Sequence, residues 1–182
     1  MRRFSSLAVM LAAIVAGLFY LQNPKTPDFV DRIRYPFKYQ EIVRGHARNY
    51  ELDPALLAAV IYQESKFDAN AKSDSGAIGL MQLLPSTAHG IALHTGGSKF
   101  RTEDLWNPEI NVRYGSFYLR RLLNKYEDEQ TALAAYNAGQ DNVDHWRAGG
   151  KEIQFPETRA YVERVEDLKR IYRDAWDSEL GG

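Results

Sequence analysis

The stretch Leu52–Gln82, LDPALLAAVIYQESKFDANAKSDSGAIGLMQ, decides the fold of this 182-residue chain. Asp53-Pro54 reads as a helix start, an acceptor side chain at the N-cap followed by a proline whose missing N–H costs nothing at the first helical position. The helix this predicts runs to about Ser65, with Leu56, Leu57, Val60 and Ile61 along one stripe. Glu64 follows Ile61 by three residues and Val60 by four, which sets a carboxyl on the core-facing side. Burial and the negative end of the helix dipole both disfavour the anion and raise its pKa. At the ordinary glutamate value of about 4.3, roughly 0.2% of such a group is protonated at pH 7, against ~10% for a value of ~6. The second situation suits a general acid. The competing reading is a structural glutamate bonded to a buried tyrosine or a backbone amide at a helix end.

Beyond the helix, Asp68 to Ser75 is a polar loop, and Gly76-Ala77-Ile78-Gly79-Leu80-Met81-Gln82-Leu83-Leu84-Pro85 sets glycines around apolar pairs. Such spacing permits positive φ and close backbone approach, as a loop lining a cleft or a tight turn before a helix requires.

Composition narrows the rest. Lys plus Arg number 23 against 24 Asp plus Glu, so the net charge of −1 offers no basic field for nucleic acid. There is no cysteine, which excludes disulfides and thiolate metal sites. His46, His89, His94 and His145 lack metal-ligand spacing and read as surface or helix-end residues, and no metal or other cofactor is expected. The length suits one domain with a single core.

Met1-Arg2-Arg3 precedes an uncharged, mostly apolar run from Phe4 to Asn23. About 20 such residues match a hydrocarbon core of roughly 30 Å, and the leading arginines place the N-terminus in the cytoplasm with the remainder on the cell-wall side. Residues 1–23 therefore read as a single-pass membrane anchor, with a cleaved signal peptide and an exported domain as the alternative. Residues 24–34 read as a linker, 35–177 as the domain and 178–182 as a tail. Within the domain the expected helices run from Tyr35 to Asn49, Asp53 to Ser65, Pro85 to about Ala92, Asn107 to Tyr126, Gln130 to Ala138, Asn142 to Arg147 and Pro156 to about Trp176. No strand pattern appears, so the fold class is all-α, about seven helices around a groove. The charge alternation from Glu163 to Arg173 reads as a solvated face.

Taken in order, Glu64-Ser65, Ser73, Gly79-Leu80-Met81-Gln82, Ala135-Tyr136-Asn137-Ala138-Gly139 and Tyr161 resemble the motifs of the soluble lytic transglycosylase catalytic domain, a lysozyme-like family acting on peptidoglycan. The similarity covers roughly Tyr35 to Trp176. It implies a lysozyme-like fold, peptidoglycan glycan strands as the partner, and Glu64 as the catalytic acid and base. It further implies Ser65, Ser73 and Gln82 as substrate-binding residues, the Gly79, Leu80 and Met81 backbone as groove lining, Tyr136 and Tyr161 as groups that orient Glu64, and Asn137 as a sugar contact. After Gly139 many relatives carry proline or glycine, where this chain has Gln140-Asp141.

Glycosidic cleavage ordinarily uses two carboxylates, and no acidic residue lies between Asp74 and Glu103. One acid suffices if the substrate supplies the nucleophile, and the resemblance implies this course: Glu64 protonates the oxygen between N-acetylmuramic acid and N-acetylglucosamine, then accepts the proton of the sugar's own 6-hydroxyl as a 1,6-anhydro ring closes. The alternatives are a hydrolytic muramidase of goose-lysozyme type and a non-catalytic glycan-binding or assembly protein.

Overall fold

Asp53 caps its helix as its position promises, Oδ1 accepting from the Ala55 N–H at 2.8 Å, while Lys66 ends the helix in the left-handed region at φ 52°. The computed structural model describes residues 28–181. Among them are nine α-helices, one 3-10 helix and no strand beyond two isolated bridges. In chain order these are α1 (Asp28–Arg34), α2 (Gln40–Asn49), α3 (Pro54–Ser65), α4 (Pro85–Thr95), the 3-10 helix (Thr102–Trp106), α5 (Pro108–Tyr126), α6 (Glu129–Ala138), α7 (Gln140–Ala148), α8 (Pro156–Ala175) and α9 (Asp177–Leu180).

Helix α3 is the axis of the fold. Ala55 through Ile61 are each at most 2% exposed, so it is apolar all round and enclosed by its neighbours, where the sequence predicted a single buried stripe. Its broadest contact is with α8. The two are tied at their far ends by Asp53, whose Oδ2 meets Arg173 at 2.5 Å and Lys169 at 3.6 Å. Lys169 reaches Glu129 at the start of α6 at 2.7 Å, which fixes three helix ends to one another.

The predicted spans of α3, α5 and α8 match closely, but the helix expected from Tyr35 begins only at Gln40. Tyr35 to Phe37 run without helix and bury both aromatic rings, Phe37 meeting Phe67, Tyr172 and Trp176 edge-on at 6.0–6.2 Å between centroids. The carbonyls of Tyr35 and Pro36 accept from Trp176 Nε1 and the Tyr172 hydroxyl. The linker and tail also require correction. Residues 28–34 form α1, and Arg32 donates twice to Glu179 of α9, at 2.8 and 3.1 Å, with its guanidinium over the Trp176 ring. Leu180 is buried, and the Arg32–Glu179 pair joins the segments expected as linker and tail. His46, expected at the surface or a helix end, lies in the last turn of α2, 5% exposed, and pairs with Glu109 of α5 at 2.8 Å. No helix among the described residues is long and apolar enough to cross a membrane, and the apolar run Phe4–Asn23 lies outside them.

A smaller apolar cluster of Ile78, Leu83, Ala88, Ile91, Leu105 and Tyr114 supports the Gly76–Pro85 segment from below. Its polar pin is Asn111 of α5, fully buried and bonded three ways: Oδ1 accepts from Met81 N–H at 2.8 Å, and Nδ2 donates to Ile78 O at 2.8 Å and Leu105 O at 2.9 Å. Gly79, at φ 78°, passes so close to this amide that a Cβ there would strike it and lie 2.7 Å from Leu105 O. Gly115 likewise leaves the space that the Met81 side chain fills. Asn111→Leu strands the buried Met81 N–H and the Leu105 carbonyl, each costing about 1–3 kcal/mol, while Ile78 O keeps its bond from the Leu83 N–H. The expected loss is about 3 kcal/mol, or a fall of ~6–12 °C in Tm for a domain of this size, read by thermal unfolding.

Candidate active site

Glu64 occupies the last turn of α3, where the apolar helix meets a groove. Its side chain is half-buried, set among protein groups and bordering open space on two sides. Burial pushes its pKa up to about 7, opposed only in part by the Tyr161 hydroxyl, which donates to Oε1 at 2.7 Å. That bond engages Oε1 as an acceptor, and Oε2 has no hydrogen-bond partner among the described residues. Tyr161 itself is held well above the ordinary phenol range by burial and by the adjacent Glu64, so it remains a donor.

Two compartments flank Glu64. One, of about 450 Å³, is walled by Ser73, Ser75, Gln82, Thr87, Tyr118 and Tyr136; the other, of about 500 Å³, by Gln63, Ala160, Tyr161 and Arg164. Glu64, Asn137 and Glu157 border both. Asn137 Oδ1 accepts from the Thr158 hydroxyl at 2.8 Å, which turns its NH₂ toward the groove. Gln82 is turned the other way: at φ 47°, its Nε2 donates to Ala71 O at 3.1 Å and Gly79 O at 3.0 Å, leaving the amide oxygen as its groove-facing group. Ser73 Oγ accepts from Ala77 N–H at 3.0 Å and lies 2.8 Å from Ser75 Oγ, a paired hydroxyl edge.

The structure thus brings Glu64, Ser73, Gln82, Tyr136, Asn137 and Tyr161 together around one groove. Other expected site residues stand behind it. The Ser65 hydroxyl donates to Leu80 O at 2.8 Å and Ile61 O at 3.1 Å, tying the end of α3 to the groove wall. Leu80 and Met81 are fully buried and their carbonyls are taken, that of Met81 by the Tyr136 hydroxyl at 2.8 Å. Gly79 is buried beside Asn111, so Gly79, Leu80 and Met81 shape the wall and do not line the groove. Tyr136, expected to bond Glu64, instead holds that wall and packs on the Tyr118 ring at 5.5 Å. Glu157 is a second groove carboxylate that the sequence reading missed, because an acidic residue in the first turn of a helix looks like an ordinary partner of the helix dipole.

The family model for the transglycosylase SLT domain matches residues 41–156. The chain belongs to the transglycosylase SLT domain family. A putative soluble lytic murein transglycosylase of Haemophilus influenzae is 36% identical over 144 residues, covering 73% of this chain and 24% of that protein. A membrane-bound lytic murein transglycosylase F of Yersinia enterocolitica is 43% identical over 96 residues, covering 49% of this chain and 18% of that protein. Among solved structures, an inactive glutamate-to-glutamine mutant of the lytic transglycosylase Slt from Pseudomonas aeruginosa superposes with a TM-score of 0.74 at 32% identity, covering 81% of this chain and 26% of that one. The chain spans about a quarter or less of the length of these SLT-domain relatives.

Because the folded pKa of Glu64 stands near 7 and its unfolded value near 4.5, the native state holds an extra proton between those pH values. Its stabilising effect is full below pH 4.5 and is lost as pH rises through 7. Glu64→Gln removes this penalty. The expected result is a Tm close to that of the unaltered protein at pH 4 and higher by ~4–8 °C at pH 8, about 2 kcal/mol after allowance for the solvent-facing edge, read by paired thermal melts.

Proposed function

We propose that this chain is a peptidoglycan lytic transglycosylase that cleaves the bond between N-acetylmuramic acid and N-acetylglucosamine without water and leaves 1,6-anhydro ends. The observation that carries the reading is the Glu64 carboxyl at the groove, poised near neutrality with Oε1 held by the Tyr161 hydroxyl. A group titrating at about 7 exchanges protons in both directions at physiological pH, as acid to the leaving oxygen and then as base to the sugar's 6-hydroxyl. Tyr161 accommodates both roles, since its donated hydrogen bond steadies the anion without competing for the transferred proton. Neutral hydrogen-bonding groups at Ser73, Gln82 and Asn137 suit a polyhydroxylated, acetamido-bearing ligand. The relatives named as lytic murein transglycosylases, and the inactivity of the glutamate-to-glutamine mutant of the Pseudomonas protein, support the same assignment. The apolar run Phe4–Asn23 and the membrane-bound relative support a catalytic domain tethered on the cell-wall side of the cytoplasmic membrane, with export after cleavage as the alternative.

Glu157 favours a second reading, hydrolysis, because a carboxylate at the groove rim is placed to activate water. Mass spectrometry of fragments released from purified peptidoglycan by the full chain separates the two. The expected products are lighter by one water than ordinary reducing ends. Glu64→Gln suppresses them by about 10²–10⁴-fold, and Glu157→Gln slows release without changing product mass. Reducing ends from the unaltered protein would establish the muramidase; no Glu64-dependent product would leave a glycan-binding protein.

A further inference from the structure

The two compartments beside Glu64 differ in charge. The side of Ser73 and Gln82 presents neutral hydroxyl and amide groups, whereas the other contains a cation, Arg164. Helical register sets it there. Glu157, Ala160, Tyr161 and Arg164 recur at intervals of three and four along α8, the face turned to the end of α3. Ala160 contributes a small side chain, so the space in front of the guanidinium stays open.

The other basic side chains of α8 are engaged within the protein. Arg159 donates to Ile153 O and Gln154 O, Lys169 to Glu129, Arg170 to Asp167 and Arg173 to Asp53. Arg164 is exposed and forms no ion pair or side-chain hydrogen bond with any described residue; its guanidinium lies over the Tyr35 ring, 5.9 Å from the centroid. Nor does it serve Glu64: burial sets that carboxyl high and Tyr161 alone offsets it. Glu157 stands seven residues away on the same helix, about 10 Å along its axis, too far to neutralise it.

We propose that Arg164 is the specificity-determining residue that receives a carboxylate carried on the substrate's side arm, with Gln63 beside it as an amide partner. The proposal rests on the peptidoglycan reading above. A glycan of N-acetylglucosamine alone has no group for this cation, whereas each muramoyl unit bears a lactyl ether ending in a carboxyl, either free or extended by a peptide with carboxylates of its own. A planar guanidinium binds such a group through two parallel N–H···O bonds.

The test uses the full chain with Glu64→Gln, so that ligand is not consumed, alone and combined with Arg164→Gln or Arg164→Lys. Each is titrated calorimetrically with chitotetraose, with a peptide-free N-acetylglucosamine–N-acetylmuramic acid tetrasaccharide, and with the same tetrasaccharide bearing peptide stems. Arg164→Gln is expected to weaken muramoyl ligands about tenfold and chitotetraose by less than twofold, with Arg164→Lys intermediate. Loss on the peptide-free ligand identifies the lactyl carboxylate; loss confined to the peptide-bearing ligand identifies the stem. An equal loss on chitotetraose, or none on either muramoyl ligand, overturns the proposal. Failure of the enzymatic reading shows separately, as absence of Glu64-dependent products from peptidoglycan.

Discussion

Everything at the groove depends on holding one carboxyl at the end of a helix that is otherwise wholly apolar. Helix α3 is enclosed from Ala55 to Ile61, and Glu64 emerges where that enclosure ends, at the edge of the groove with Oε1 bonded to Tyr161. Burial destabilises the anion and the tyrosine restores part of the loss, and the balance lies near pH 7. The arrangement costs folding stability at neutral pH, a cost typical of sites whose chemistry needs a group in an unfavourable state.

The groove wall is held largely from behind, with Tyr136 alone of its three side-chain anchors also facing the groove. Asn111, Ser65 and Tyr136 each bond backbone of the segment from Ile78 to Met81, from three different helices, and Gly79 and Gly115 supply the close approaches that this convergence demands. Gln82 is thereby forced into a left-handed conformation with its amide oxygen outward. The polar edge facing a ligand is thus fixed from behind, as preorganised binding requires.

Much of this was readable from local pattern. The Asp53-Pro54 and Asn107-Pro108 starts, the span of α3 and the unusual place of Glu64 depend on neighbours in sequence, and all are found as expected. Which tyrosine meets Glu64 depends on helix packing, and only Tyr161 does; Tyr136, equally plausible by motif, bonds the wall. Asn111 escaped notice because an asparagine in a long helix looks solvent-facing until its three buried partners are seen. Glu157 and Arg164 were hidden in a charge-rich helix whose pattern does not reveal which turns overlook the groove. The segments flanking the domain read as linker and tail for the same reason, since the Arg32–Glu179 contact joins residues at opposite ends of the described chain.

Burial, offset in part by the Tyr161 bond, sets the acidity of Glu64, and this can be read by titrating its side-chain carboxyl by carbon NMR in the isotopically labelled full chain. The expected midpoint is near 7, moving higher in Tyr161→Phe as the bond that favours the anion is lost. A midpoint at the ordinary glutamate value of about 4.5, unmoved by that substitution, would contradict it.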